Sequence, residues 1–280
     1  IYPLSLHDAL PISRQGPETS QQGAHRGRRR GRSMEFSEHR AYVAGDDLRH
    51  LDWNAFARHE KLVIKEFESE LERTVLLVTD LSASMSPGKR QLALQLTAAL
   101  SWVALTGQDR VGLATLGPQA LYHPPLRGRA NWGTLMTWLQ AAPDGGRAQL
   151  DQNLVSLARR LPRSSLMVVI SDWLEPEAGQ GLAYAHYRKH QLAALQILDG
   201  FDLDPPWLGP LLLRDLETGE TRQLSVDPVS LGLYQKALEA HGQALTQECR
   251  KRGFAFHRCQ AESGPDNILL RELVQQGWLQ

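Results

Sequence analysis

The sequence predicts an α/β protein whose core is a mostly parallel sheet with helices on both faces. Three observations predict it. Thr74–Asp80, Val111–Leu116, Ser165–Ser171 and 191–198 are apolar runs of strand length without polar alternation, the pattern of strands buried on both faces. Segments of helical period lie between and after them, at about 88–106, 132–139, 150–161 and 177–189. Glycine and proline clusters punctuate the joins, so strands and helices alternate.

Composition narrows the function classes. Lys plus Arg and Asp plus Glu each total 31, so the chain has no net charge, which argues against a general polyanion binder; no nucleic-acid partner is expected. Two cysteines, Cys249 and Cys259, in 280 residues are no disulfide framework and fit a reducing cytoplasm. No window approaches the ~20 apolar residues of a membrane helix, so no membrane insertion is expected.

Residues 1–13, Ile-Tyr-Pro-Leu-Ser-Leu-His-Asp-Ala-Leu-Pro-Ile-Ser, read as the translation of a sequencing-adapter oligonucleotide and are set aside. On that reading, and with no initiator Met, the chain is a gene fragment whose true start is missing. Residues 14–33 are polar and basic. With zero net charge and no interleaved aromatics, a disordered solvated leader is a better reading than a nucleic-acid arm. Residues 34–73 are expected to form an N-terminal extension packed on the sheet. They hold Arg40, Tyr42, a turn at Gly45-Asp46-Asp47, then Arg49, Asp52, Trp53 and Arg58, and a strand at Lys61–Phe67. So many charges around two aromatics read equally as a recognition epitope or as a salt-bridged surface, where each pair contributes only ~0–1 kcal/mol.

From Thr74 the α/β domain runs to residue 280. Ala120–His123 is expected to be a short edge strand stopped by Pro124-Pro125. Residues 210–226 read as an inserted hairpin turning at Glu217-Thr218-Gly219-Glu220. A helix at about 229–252, a strand at Phe254–Arg258 and a helix at about 265–277 close the chain.

The chemistry concentrates at Asp80-x-Ser82-x-Ser84, where the first buried strand ends and a helical pattern opens. Ligand sites in open α/β sheets lie outside the carboxyl ends of strands. One carboxylate and two hydroxyls at alternate loop positions offer three hard oxygen ligands, the donor set magnesium prefers. In the plainer reading, Ser82 and Ser84 only cap the helix beginning near Pro87.

Here the chain resembles the von Willebrand factor type A domain, with its metal-ion-dependent adhesion site. The resemblance implies Asp80, Ser82 and Ser84 as the first part of a site for Mg2+ or another divalent cation, and Asp172 as the third. The second part departs from the pattern. The family shows Gly-Gly-Thr-x-Leu, whereas this chain has Gly145-Gly146-Arg147-Ala148-Gln149-Leu150. Water can replace the missing hydroxyl, or Arg147 can lie against Asp80 and Asp172 and neutralise them without metal.

The wider pattern narrows the resemblance. Glu35-Phe36, Arg40-x-Tyr42-x-x-Gly45-Asp46-Asp47-x-Arg49-x-x-Asp52-Trp53, Ala57-Arg58 and Lys65-Glu66-Phe67, followed by Asp-x-Ser-x-Ser-Met, resemble the bacterial proteins of domain of unknown function 58 over about residues 25–275. Members commonly sit beside MoxR-type AAA+ ATPases. The resemblance implies a non-enzymatic adaptor for such an ATPase in complex maturation or metal insertion. It puts Arg40, Tyr42, Asp46, Asp47, Arg49, Asp52, Trp53, Arg58 and Arg147 on the partner-binding surface.

An enzyme is the alternative: a magnesium-dependent phosphohydrolase with Asp80 as nucleophile. Such enzymes place a second acid two residues on, where this chain has Ser82, which cannot serve as acid or base. No Gly-x-Ser-x-Gly elbow marks a serine hydrolase. His186 and His190 at i,i+4 spacing can bind zinc on a helix, but a solvated face is the better reading without a third ligand.

Overall fold

The computed structural model describes residues 34–42, 51–59, 62–69, 73–175, 179–217 and 219–278. They fall into two compact units that divide at Arg73. In the first, β1 (Met34–Ala41) pairs antiparallel with β2 (Val63–Ser69), from Met34 opposite Ser69 to Ala41 opposite Val63. Between them lies α1 (Trp53–His59). The sequence pattern showed neither β1 nor α1. The turn at Gly45-Asp46-Asp47 and the leader lie outside the described residues.

The second unit is a six-stranded sheet. β3 (Thr74–Asp80), β4 (Arg110–Leu116), β6 (Leu166–Ser171), β7 (Gln191–Leu198) and β10 (Ala255–Gln260) are parallel. β5 (Leu121–Arg127) adds to β4 in the opposite sense, giving the order β10-β7-β6-β3-β4-β5. Every residue of β3 and β6 is buried, as their unbroken apolar composition requires.

Successive side chains still alternate between faces. Val75 and Leu77 join one core with Val168 and Ile170, covered by α2 (Pro87–Thr106) and α3 (Trp132–Gln140). Leu76 and Val78 join the other with Met167 and Val169, under α4 (Leu150–Arg160) and α5 (Gly179–Tyr187). Each such leucine or valine contributes about 1.5–3 kcal/mol.

Three expectations are corrected. β5 runs through Pro124 and Pro125 instead of stopping at them. It is an edge strand, and its register shifts between Val111 and Leu113 of β4, so neither proline has to donate to a regular ladder. α5 ends at Tyr187, which takes His190 off the helix. His190 is buried, with Nε2 2.9 Å from the Ala158 carbonyl. The expected last helix is irregular: α6 (Gly200–Leu203) precedes the hairpin, and after β10 a short helix at Gly264–Asn267 passes into a π-helical turn at Ile268–Leu273.

The hairpin is β8 (Gly209–Arg214) and β9 (Thr221–Val226), a separate two-stranded sheet, and α7 (Pro228–Lys251) follows it. After β3 the chain places β4 on one side and later returns to add β6 on the other. That reversal is the switch point where such sheets hold ligands, and Asp80 and Asp172 stand at its two carboxyl ends.

Candidate functional site

Asp80 closes β3 and is buried. Its Oδ1 accepts the Ser82 amide at 2.9 Å, and its Oδ2 accepts the Ser171 hydroxyl at 2.6 Å. The Ser82 and Ser84 hydroxyls lie 3.0 Å apart. Neither caps α2. That cap is Ser86, whose Oγ accepts the Lys89 amide at 3.5 Å and donates to Asp199 Oδ2 at 2.6 Å. Burial, with Asp172's charge added, pushes the Asp80 carboxyl up to about 6, against the hydrogen bonds from Ser171 and Ser82.

The cation at Asp172 is Lys89, not Arg147. The Lys89 ammonium stands 3.2 Å from Asp172 Oδ2 and 3.0 Å from Asp202 Oδ2, and the side chain is only 3% exposed. Burial opposes its charge, but Asp172 and Asp202 outweigh burial and hold the ammonium above its ordinary value. Asp202 is itself pushed up, because burial outweighs its share of that one ammonium. Lys89 lies on the buried stripe of α2 with Leu92, Ala93 and Leu96, which turns it inward. Arg147 leaves the loop outward, 57% exposed, with Nε 3.5 Å from Glu217 Oε2.

Backbone contacts fix the loops. Gly145 donates to the Leu81 carbonyl at 2.8 Å, and Ala83 donates to Gly146 at 3.0 Å, so the glycine pair is laced to the Asp80 loop. Gly146 has φ +64°, and a Cβ there would meet Pro118 Cα at 2.7 Å, so no other residue fits. Depending on alignment, Arg147 or Ala148 stands where the resemblance expects threonine, and Ala148 is buried. After Asp172, Trp173 takes φ 54° while fully buried, and its amide donates to Ser171 Oγ at 3.1 Å. A bulky residue in left-handed backbone is strain that its surroundings must hold.

A cleft of about 400 Å³ opens at this edge, lined by Asp80, Ser84, Arg147, Asp172, Glu175 and Glu217 among others. Glu175 caps α4 by accepting the Leu150 amide at 2.8 Å. Glu217 comes from the hairpin turn. Burial pushes its carboxyl up, as do Glu175 and Asp172, while its hydrogen bond with Ser84 and the nearby Arg147 draw it down.

The donor set fits a hard divalent cation in part. Asp80, Ser82 and Ser84 supply oxygens. Among the described residues no cationic side chain pairs with Asp80, so a buried carboxylate lacks a counter-charge. Asp172, by contrast, has its cation in Lys89.

The structure brings together Asp80, Ser82, Ser84, Asp172 and Arg147 of the residues read from sequence. Lys89, Ser171, Glu175, Asp202 and Glu217 were not read there. Two of these had a signal: Lys89 shares helical spacing with Leu92 and Leu96, and Ser171 immediately precedes Asp172 at a strand end. In the first unit, Arg40 lies on β1 opposite Ile64, and the Tyr42 amide donates to Leu62 at 2.9 Å. Asp52 is buried and caps α1, its Oδ1 accepting the Ala55 amide at 3.1 Å. Trp53 is exposed, edge-on to Phe56 with ring centres 6.4 Å apart, and Arg58 is exposed. Asp46, Asp47 and Arg49 lie outside the described residues.

At the β10 border of the sheet, ligand atoms of His257, Cys259 and Glu272 lie within 4.8 Å of one another. His257 Nε2 is 2.7 Å from Glu272 Oε2, and Gln276 lies 2.8 Å from its other ring nitrogen. Burial pushes the Cys259 thiol up. The cluster fastens the last turn to β10. Both cysteines are free and buried, and among the described residues no helix is long and apolar enough to cross a membrane.

The family described as protein of unknown function DUF58 matches residues 38–244. An uncharacterized protein of Mycobacterium tuberculosis is 31% identical over 240 residues, covering 82% of this chain and 76% of that one. An uncharacterized protein of Mycobacterium avium is 32% identical over 133 residues, 46% of this chain and 79% of its own. Among solved structures, an aerotolerance-related membrane protein from Bacteroides fragilis aligns with TM-score 0.45 and 19% identity, over 73% of this chain and 98% of that one. The conserved hypothetical protein BatB from Bacteroides thetaiotaomicron aligns with TM-score 0.37 and 16% identity, over 65% and 98%. The match over most of the described chain, with relatives aligned across three quarters of their length, places this α/β protein in a family: it belongs to the proteins of unknown function DUF58.

Proposed function

We propose that the chain is a non-enzymatic interaction module that docks a partner at the carboxyl edge of its sheet. Asp80, Ser82 and Ser84 would hold a divalent cation such as Mg2+, and a partner carboxylate would complete its coordination. One observation carries this reading. Asp80 is buried, pushed up to about 6 and, among the described residues, without a cationic partner, beside two hydroxyls that no helix cap consumes. Asp172 is committed to Lys89, so its part is to set the shape and charge of the edge.

The partner we propose is a MoxR-type AAA+ ATPase, as the family resemblance implies, with the chain acting in the cytoplasm as adaptor in complex maturation or metal insertion. Arg147 would add to the partner surface of this edge, and Trp53 and Arg58, both exposed, would offer the first unit's own contacts to a partner. The phosphohydrolase reading is weaker: Ser82 stands where a second acid is needed. Affinity capture of the ATPase by the full chain tests the proposal. Asp80→Ala should abolish capture while the far-ultraviolet circular dichroism spectrum is unchanged. Undiminished capture by a folded Asp80→Ala chain sinks the reading.

A further inference from the structure

We propose that the ligand of this edge is a carboxylate presented on a β-turn, and that Glu217, at the tip of the chain's own β8–β9 hairpin, holds that place in the isolated protein. The inference rests on reading the Asp80 edge as a docking site.

The hairpin is a poor candidate for a merely structural element. Its two strands form a sheet of their own, and Leu212, Leu213 and Leu224 are exposed along it. At its tip Leu216 is 69% exposed, yet the side chain of Glu217 beside it is only 14% exposed. The apolar residue faces solvent and the acid turns inward, the reverse of what burial energetics favour.

Two neighbours explain the inversion. Glu217 lines the same cleft as Ser84, one of the three oxygen donors of the site. Arg147, one of the two residues that stand where the type A pattern has threonine, has its Nε 3.5 Å from Glu217 Oε2 and balances its charge. The loop that lacks the threonine ligand therefore supplies a cation for an incoming carboxylate. A partner carrying an acidic turn meets the same Ser84 and Arg147, and it must first displace the hairpin tip. Displacement frees a strand pair with exposed leucines, an edge that another chain can extend.

Such self-occupancy lowers apparent affinity by the fraction of molecules whose site is open. The test uses the full chain in magnesium buffer and, as probe, a cyclised peptide of residues 209–226 carrying either Glu or Gln at 217. Binding is read by fluorescence anisotropy on wild type, Glu217→Ala and Glu217→Ala/Asp80→Ala. Glu217→Ala should bind the Glu peptide at least about tenfold more tightly than wild type. The Gln peptide and the double variant should show no specific binding. Equal affinity of wild type and Glu217→Ala overturns the inference. If no form binds the peptide while wild type still captures the ATPase through Asp80, the docking site stands and self-occupancy fails. If capture is also lost, both fail.

Discussion

Lys89 Nζ stands 3.2 Å from Asp172 Oδ2, joining the third residue of α2 to the loop after β6, 83 positions away. The same ammonium reaches Asp202 at 3.0 Å. One buried cation thus ties α2, the loop after β6 and α6 together at the sheet's carboxyl edge. It also decides the electrostatics of the site: Asp172 is compensated by Lys89, and among the described residues Asp80 has no such cation.

Replacing Lys89 leaves Asp172 and Asp202 buried without a counter-charge. Removing one partner of a buried pair costs on the order of 3–5 kcal/mol. Lys89→Met should therefore lower unfolding free energy by about that much in urea titration. Asp172→Asn should cost less, because Lys89 keeps Asp202.

Asp80 should give stability a pH dependence of definite sign. Its folded carboxyl is raised from 3.8 to about 6, so between those values the folded state binds more protons than the unfolded. Stability should fall as pH rises through that window and stay reduced above it. In EDTA, Asp80→Asn should flatten this slope and raise stability at neutral pH by on the order of 2–3 kcal/mol. Urea titrations of both chains from pH 4 to pH 8 check it, and a slope unchanged in the variant would remove Asp80 as its source.

Gly146→Ala should be costly although the side chain gained is small. The residue has φ +64° and its Cβ would meet Pro118 Cα at 2.7 Å. Backbone strain and the clash together should cost about 2–3 kcal/mol in thermal or urea unfolding. Because Gly146 accepts the Ala83 amide, the same variant should also weaken divalent-cation binding.

Arg147→Ala should behave in the opposite way. Arg147 is itself 57% exposed and its Nε stands 3.5 Å from Glu217, so stability should change by less than about 1 kcal/mol. Differential scanning calorimetry separates this from a core role, in which the loss would match that of Lys89→Met.

Much of this was legible in the sequence, for identifiable reasons. Buried parallel strands must be apolar throughout, so Thr74–Asp80, Leu166–Ser171 and Gln191–Leu198 announce themselves, and with them the sheet edge where Asp80 and Asp172 meet. Lys89 was not legible in the same way. A lysine near a helix start reads as solvated, and the acids that draw it inward lie 83 and 113 positions on. Pro124-Pro125 misled for a local reason, since their tolerance depends on an edge position and a shifted register that only pairing reveals. Glu217 stood in a correctly read turn, but nothing local to a turn says where its tip rests.

The central claim is that Asp80 is the carboxylate of a divalent-cation site, and titration calorimetry of the metal-free full chain with Mg2+ tests it most directly. The account predicts saturable binding at one site in the wild-type chain and loss of that binding in Asp80→Ala. Equal binding by the two chains, or none by the wild type, would contradict it.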